Sequence, residues 1–218
     1  MLPSANTIYI MKKQLLSLTL VLGAISAFAQ TTAADLFTSA PQSVFPLLDR
    51  TTRLDMVDYY RNGMANPSAN QLDGRSSITE MTPESITVKM TDSSAMQLVD
   101  LKGTKGDIIA VISTVATPGL DSSIKFFDAD WNPIPTESCF TKPGWKEWLT
   151  DSGWKNEADV TMQVPFMLAS YRIDPATSTL TLTNNLSRFL DKEIYDDIST
   201  YLNPTLTYTW TGKQFKAK

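Results

Sequence analysis

Between Ser85 and Asp128 the apolar residues fall on a period of two, broken at short intervals by turn residues. Ile86, Val88 and Met90 alternate with Ser85, Thr87 and Lys89, the pattern of a strand with one wet face. Asp92-Ser93-Ser94 is turn chemistry, and Met96 to Leu101 follows as the next strand. Ile108 to Val115 reads IIAVISTV, almost wholly apolar and β-branched, so it belongs in the middle of a sheet. Pro118-Gly119 then turns the chain into Ser123–Asp128, which carries Ile124, Phe126 and Phe127. Parallel neighbours need crossovers of a dozen or more residues, and these links are too short for that. The run therefore predicts an antiparallel meander.

The segments on either side read differently. Thr32-Ala33-Ala34-Asp35 fits a capping box and starts a short helix through Leu36 and Phe37. After Pro41 and Pro46, Leu47, Leu48, Leu54, Val57 and Tyr60 recur at helical spacing until Asn62-Gly63 stops them. Asp49 and Arg53, four apart on that helix, are expected to form a surface ion pair. Residues 131–156 are irregular, with a helical turn around Trp145–Leu149. Val160, Met162, Val164, Phe166 and Leu168 then alternate as a strand would, with Pro165 pointing to an edge or a bulge. Asp174-Pro175-Ala176-Thr177 turns the chain into a strand through Leu180 and Leu182. Asp191 can cap a helix over residues 192–202, with Ile194, Ile198 and Tyr201 on one face. Leu206, Tyr208 and Trp210 make a last strand, and Thr211-Gly212-Lys213 turns it into Phe215. The fold class is α+β, N-terminal helices followed by antiparallel sheet. The expected organisation is a single domain over residues 30–218, whose element order admits two packed helix-plus-sheet halves near 32–130 and 140–215.

The first 29 residues have the form of a signal peptide. Met11-Lys12-Lys13 gives a positive start, Leu15 to Ile25 an apolar stretch, and Ala27-Phe28-Ala29 a small-x-small cleavage site before Gln30. The complete signal begins at Met11, which is the expected true start. The apolar run is shorter than the roughly 20 residues that span a bilayer. With no cysteine near the cut, a lipoprotein anchor there is not expected. The expectation is export to the periplasm or cell surface, with no integral membrane span in the mature chain.

Composition excludes several chemistries. The chain has no histidine, which removes Ser-His-Asp and Cys-His catalysis and His-containing zinc sites. One cysteine leaves neither an internal disulfide nor a cysteine-cluster metal site. A net charge of -4 gives no footprint for nucleic acid. No cofactor and no metal are expected. Asp128-x-Asp130-x-Asn132 opens like a calcium loop, but Pro133 stands where glycine is required and Cys139 where the bidentate glutamate should be. Asp191, Glu193, Asp196 and Asp197 fall on consecutive turns of one helix, whereas glycosidase carboxylates face each other across a cleft. Cys139 lacks a histidine to activate it and reads as a buried apolar thiol. The candidate ligand-binding residues are aromatic: Trp131, Trp145 and Trp148, whose flat faces suit sugar rings or peptide side chains. Large aromatics equally fill the gap between packed sheets.

FPLLDRTTRLDMVDYY (Phe45–Tyr60), SITEMTPESITVKMTDSSAMQLVDL (Ser77–Leu101) and TYTWTGKQF (Thr207–Phe215) together resemble a domain-of-unknown-function family. Its members are small exported proteins from Gram-negative anaerobes of the gut type. The resemblance implies an exported α+β protein and carries over no catalytic residue. In element order alone the chain is also similar to β-lactamase-inhibitor-like and outer-membrane-assembly lipoprotein folds, a likeness without functional weight. The functional expectation is an exported cell-envelope protein, a non-catalytic binding or accessory protein for a glycan, a peptide or an envelope protein. Two alternatives are a carboxylate-dependent hydrolase of glycan or cell-wall material, and a protein inhibitor or assembly factor that docks a partner on its sheet.

Overall fold

The meander forms. In the computed structural model, which describes residues 31–64, 66–116, 118–164 and 166–218, seven strands run in sequence order across one antiparallel sheet. They are β1 (Ser68–Ala69), β2 (Arg75–Met81), β3 (Ser85–Thr91), β4 (Ser94–Leu101), β5 (Ile108–Ala116), β6 (Leu120–Phe127) and β7 (Pro133–Ile134). Alternation gives the sheet two apolar faces. Ile86, Val88, Met90, Leu98, Ile109 and Val111 point one way; Val99, Leu101, Ala110, Ile112, Ile124 and Phe126 point the other. The continuous apolar run of β5 supplies both, which is why it does not alternate with polar residues.

Helices α1 (Ala33–Ser39) and α2 (Arg50–Arg61) cover the first face. The capping box closes as expected: the Asp35 N–H donates to Thr32 Oγ1 at 3.3 Å, and the Thr32 N–H donates to Asp35 Oδ2 at 2.9 Å. The expected ion pair between Asp49 and Arg53 does not form. Asp49 is the N-cap of α2 and accepts the Thr52 N–H at 2.7 Å. Arg53 instead turns inward, 2% exposed, with its guanidinium 5.9 and 5.7 Å from the ring centroids of Phe37 and Phe45. Nη2 donates to the Ala40 carbonyl at 2.7 Å.

A second antiparallel sheet covers the other face. Its strands β8 (Ala169–Asp174), β9 (Thr179–Asn184), β10 (Thr205–Trp210) and β11 (Phe215–Ala217) lie in the order β11-β10-β9-β8. Tyr171, Ile173, Leu180, Leu182, Tyr208, Trp210 and Phe215 meet the seven-stranded sheet. The free edge of β8 would leave backbone groups unpaired in the interior, and side chains of the first sheet satisfy them. Gln97 bonds Ile173 twice, donating to its carbonyl at 2.8 Å and accepting its N–H at 2.9 Å. Ser122 Oγ accepts the Tyr171 N–H at 3.0 Å.

Four short helices link the sheets: α3 (Thr136–Cys139), α4 (Trp145–Trp148), α5 (Asp151–Lys155) and α6 (Glu157–Gln163). The strand expected through Val160–Leu168 is thus corrected, since its first part is α6. Val160 and Val164, four apart, are each 1% exposed, whereas Met162 between them is 80% exposed. Burial there follows a helical period. The expectation for Pro165 lies outside the described residues, as does the signal segment. Helix α7 (Lys192–Ser199) completes a third apolar cluster with Leu149, Val160, Val164, Leu186 and Leu202 around Ile198. Residues Thr32–Lys218 form one compact unit.

Candidate ligand-binding cleft

The helix layer does not reach the end of the sheet. Where α1 and α2 stop, a cleft of about 600 Å³ opens over β4–β7. Its floor follows from register. Met96 pairs with Ser113 and Val111 with Lys125, and Phe127 lies two residues beyond Lys125 on the same side. All five side chains share the helix-facing side because each is an even number of residues from its buried strand neighbours. Ser43 and Val44, in the link between α1 and α2, form one wall; Pro133–Thr136 form the other. Val115, 45% exposed, continues the apolar floor outward.

Lys125 is the one charged residue among the described residues that line the cleft. Among the described residues no carboxylate pairs with it. Among the described residues no carboxylate or thiol lines the cleft, so its chemistry is apolar contact, three hydroxyls and one ammonium. The wall at Ser43–Val44 is fixed from behind, because Arg53 holds the Ala40 carbonyl and stacks on Phe45 on either side of it.

Behind Phe127 stands Trp131, with ring centroids 5.3 Å apart. A tight turn aims it there. Asp128 Oδ1 accepts the N–H groups of Asp130 and Asn132, both at 2.9 Å, and Asp128 Oδ2 accepts the Asn132 side-chain amide at 2.9 Å. Hydrogen bonds from Asn132 hold the Asp128 carboxyl below its ordinary range. Trp131 itself sits at φ +66°, which the turn imposes. The calcium-like spelling is thus a turn whose carboxylate is consumed by its own loop. Among the described residues no group of three or more acids or thiols is placed to hold a metal ion.

The three tryptophans do not share a surface. Trp131 is half-buried on the helix-facing side of the sheet. Trp148 is 2% exposed in the interior between the two sheets, and Trp145 is half-buried between that interior and the third cluster. Cys139 is buried, and burial pushes its thiol up, away from thiolate reactivity. Asp191, Glu193, Asp196 and Asp197 remain on one exposed helical stretch, with Lys192 bonded to Asp196. Lys125, Val44 and Met96 carried no signal as site residues in the sequence, because only the tertiary position of the helix layer brings them together.

A helical layer, a seven-stranded meander and a four-stranded sheet stacked in that order define a two-sheet α+β protein with an open cleft at the limit of its helical cover. The model for a family described as proteins of unknown function (DUF3256) matches residues 24–215, and the chain belongs to that family. A solved domain of an uncharacterized protein from Porphyromonas gingivalis W83 is similar, with a TM-score of 0.72 at 19% identity. The match covers 85% of this chain and 96% of that one, and likeness at this identity speaks for the fold alone. No curated protein matches the chain. Among the described residues no helix is long and apolar enough to cross a membrane.

Proposed function

We propose that the protein is an exported, non-catalytic binding or accessory protein of the cell envelope, and that the cleft over β4–β7 is its ligand site. The observation that carries this reading is the lining of the cleft: an apolar floor with hydroxyls and a lone ammonium, and no acid or thiol to act on a bond. Its volume of about 600 Å³ suits a small ligand. Of the three tryptophans, Trp131 keeps a part in the site, as the support behind Phe127. The hydrolase alternative needs two carboxylates facing each other across a groove, and this lining offers none.

Two experiments test the reading. Nile red, a neutral apolar dye, should brighten on binding the purified chain, and Ser113→Trp, which fills the cleft from the floor, should abolish the effect. Equal brightening by that variant would place the dye elsewhere and defeat the assignment. For export, a C-terminally tagged full chain expressed in a Gram-negative host should appear outside the cytoplasm, shortened by residues 1–29. Retention in the cytoplasm at full length would refute that part.

A further inference from the structure

The lining also specifies what kind of ligand the cleft takes, an inference that rests on the cleft being a binding site. At the edge of the helix layer the floor and wall present Val44, Met96 and Phe127, apolar side chains left partly exposed, with Val115 beyond them 45% exposed. Such surface gains by excluding water at about 25 cal/mol per Å² of apolar area. Beside it stands Lys125, an ammonium without a carboxylate partner among the described residues, and no acid in the lining opposes it. The two features are adjacent because Lys125 pairs across the ladder with Val111. An apolar ligand alone would leave the cation idle, and an anion alone would leave the floor wet. One cation matches one negative charge; a phosphate monoester carries about -1.5 to -2 at neutral pH and would keep charge uncompensated here.

We infer that the cleft binds a single-chain carboxylate amphiphile, its hydrocarbon tail on Val44, Met96 and Phe127 and its carboxylate on the Lys125 ammonium. The hydroxyls of Ser43, Ser113 and Thr136 lie within the same lining and can donate to the second carboxylate oxygen. The tail supplies the affinity, and the ion pair selects the head group.

Isothermal titration of the intact chain with four probes tests this: dodecanoate, dodecanol, dodecyl phosphate and butanoate. Dodecanoate should bind best. Dodecanol should bind roughly five-fold more weakly, the scale of one ion pair at a partly solvated site, and dodecyl phosphate, with charge left over beside the apolar floor, no more tightly than dodecanoate. Butanoate, which has the head without the tail, should show no heat of binding. Lys125→Gln, at an exposed strand position, should keep the fold and bring dodecanoate down to the affinity of dodecanol. Dodecanol binding as tightly as dodecanoate, or no change with Lys125→Gln, would overturn the head-group assignment and leave the cleft standing as an apolar site. Tighter binding of dodecyl phosphate would overturn the choice of carboxylate. If none of the four binds and Nile red also fails, the cleft itself is lost as a ligand site.

Discussion

Arg53 is a cation that the interior does not fully satisfy, and its replacement tests how the helix layer is held. Nη2 bonds the Ala40 carbonyl, while Nε and Nη1 have no hydrogen-bond partner, and burial holds the guanidinium below its usual range. In its favour are one charge-assisted hydrogen bond, about 1.5–3 kcal/mol, and contact with two aromatic rings, about 1–2 kcal/mol each when desolvated. Against it stand the desolvation of an ion, several kcal/mol, and two unpaired donors at about 1–3 kcal/mol each. The opposing terms slightly exceed the favourable ones. Arg53→Met keeps the length and the apolar contact with Phe37 and Phe45 and removes the charge. It should leave stability unchanged or raise it by up to about 2 kcal/mol. Arg53→Ala leaves a void as well and should fall about 2–5 kcal/mol below the methionine variant. Arg53→Lys keeps the buried charge and loses the planar stack, so it should also be less stable than Arg53→Met. Urea unfolding near neutral pH, followed by tryptophan fluorescence, gives the ranking. A loss of more than about 3 kcal/mol in Arg53→Met would refute the reasoning, since the guanidinium would then be a net stabiliser.

Three further outcomes follow from the packing. Gln97→Leu strands the buried N–H and carbonyl of Ile173 and should cost about 2–4 kcal/mol in the same assay; a change under 1 kcal/mol would mean that water replaces the amide. Gly153→Ala would set its Cβ 2.2 Å from the Tyr201 carbonyl oxygen, so it should destabilise by about 2 kcal/mol or more despite the better helix propensity of alanine, as read by thermal unfolding. Burial keeps the Asp100 carboxyl above its ordinary range, against the pull of its bond to Lys102. A raised carboxylate favours the fold while protonated, and that contribution is lost as pH climbs from the ordinary aspartate range through the higher folded-state value. Wild type should therefore lose stability relative to Asp100→Asn as pH rises from the acid range towards neutrality, and the opposite trend in paired denaturation curves would contradict the burial effect.

The meander was legible because its constraint is local: Ile86, Val88 and Met90 alternate, Asp92-Ser93-Ser94 turns, and β5 is apolar throughout. Helix α6 was not, because Val160, Met162, Val164, Phe166 and Leu168 satisfy the strand template equally well. Only the exposure of Met162 between two buried valines separates the two periods, and exposure belongs to the tertiary structure. Arg53 misled for a related reason. Its spacing to Asp49 fits an ion pair, but the inward contacts come from Phe37 and Phe45 in the preceding elements. Gln97 lies in a segment legible only as a strand, Met96–Leu101, yet it caps a strand edge 76 positions away. The cleft was hidden for the same reason on a larger scale. Lys125 is an ordinary polar alternate in β6 until the end of the helix layer leaves apolar floor beside it.

The tryptophans show how far residue type carries function. Three tryptophans close together in sequence, Trp131, Trp145 and Trp148, suggested a recognition surface, yet the two sides of one sheet separate Trp131 from Trp148. Trp148 fills the interior between the sheets, where its area contributes most to stability. Trp131 reaches the candidate site through Phe127, by way of a turn built from Asp128 and Asn132.

The most direct test of a ligand site over β4–β7 is a methyl-resolved NMR titration of the intact chain with dodecanoate. Saturable shifts should appear at Val44, Met96 and Val111 while Leu180 and Leu182, buried between the sheets, stay still. Shifts centred on any other surface, or none at saturating probe, would contradict it.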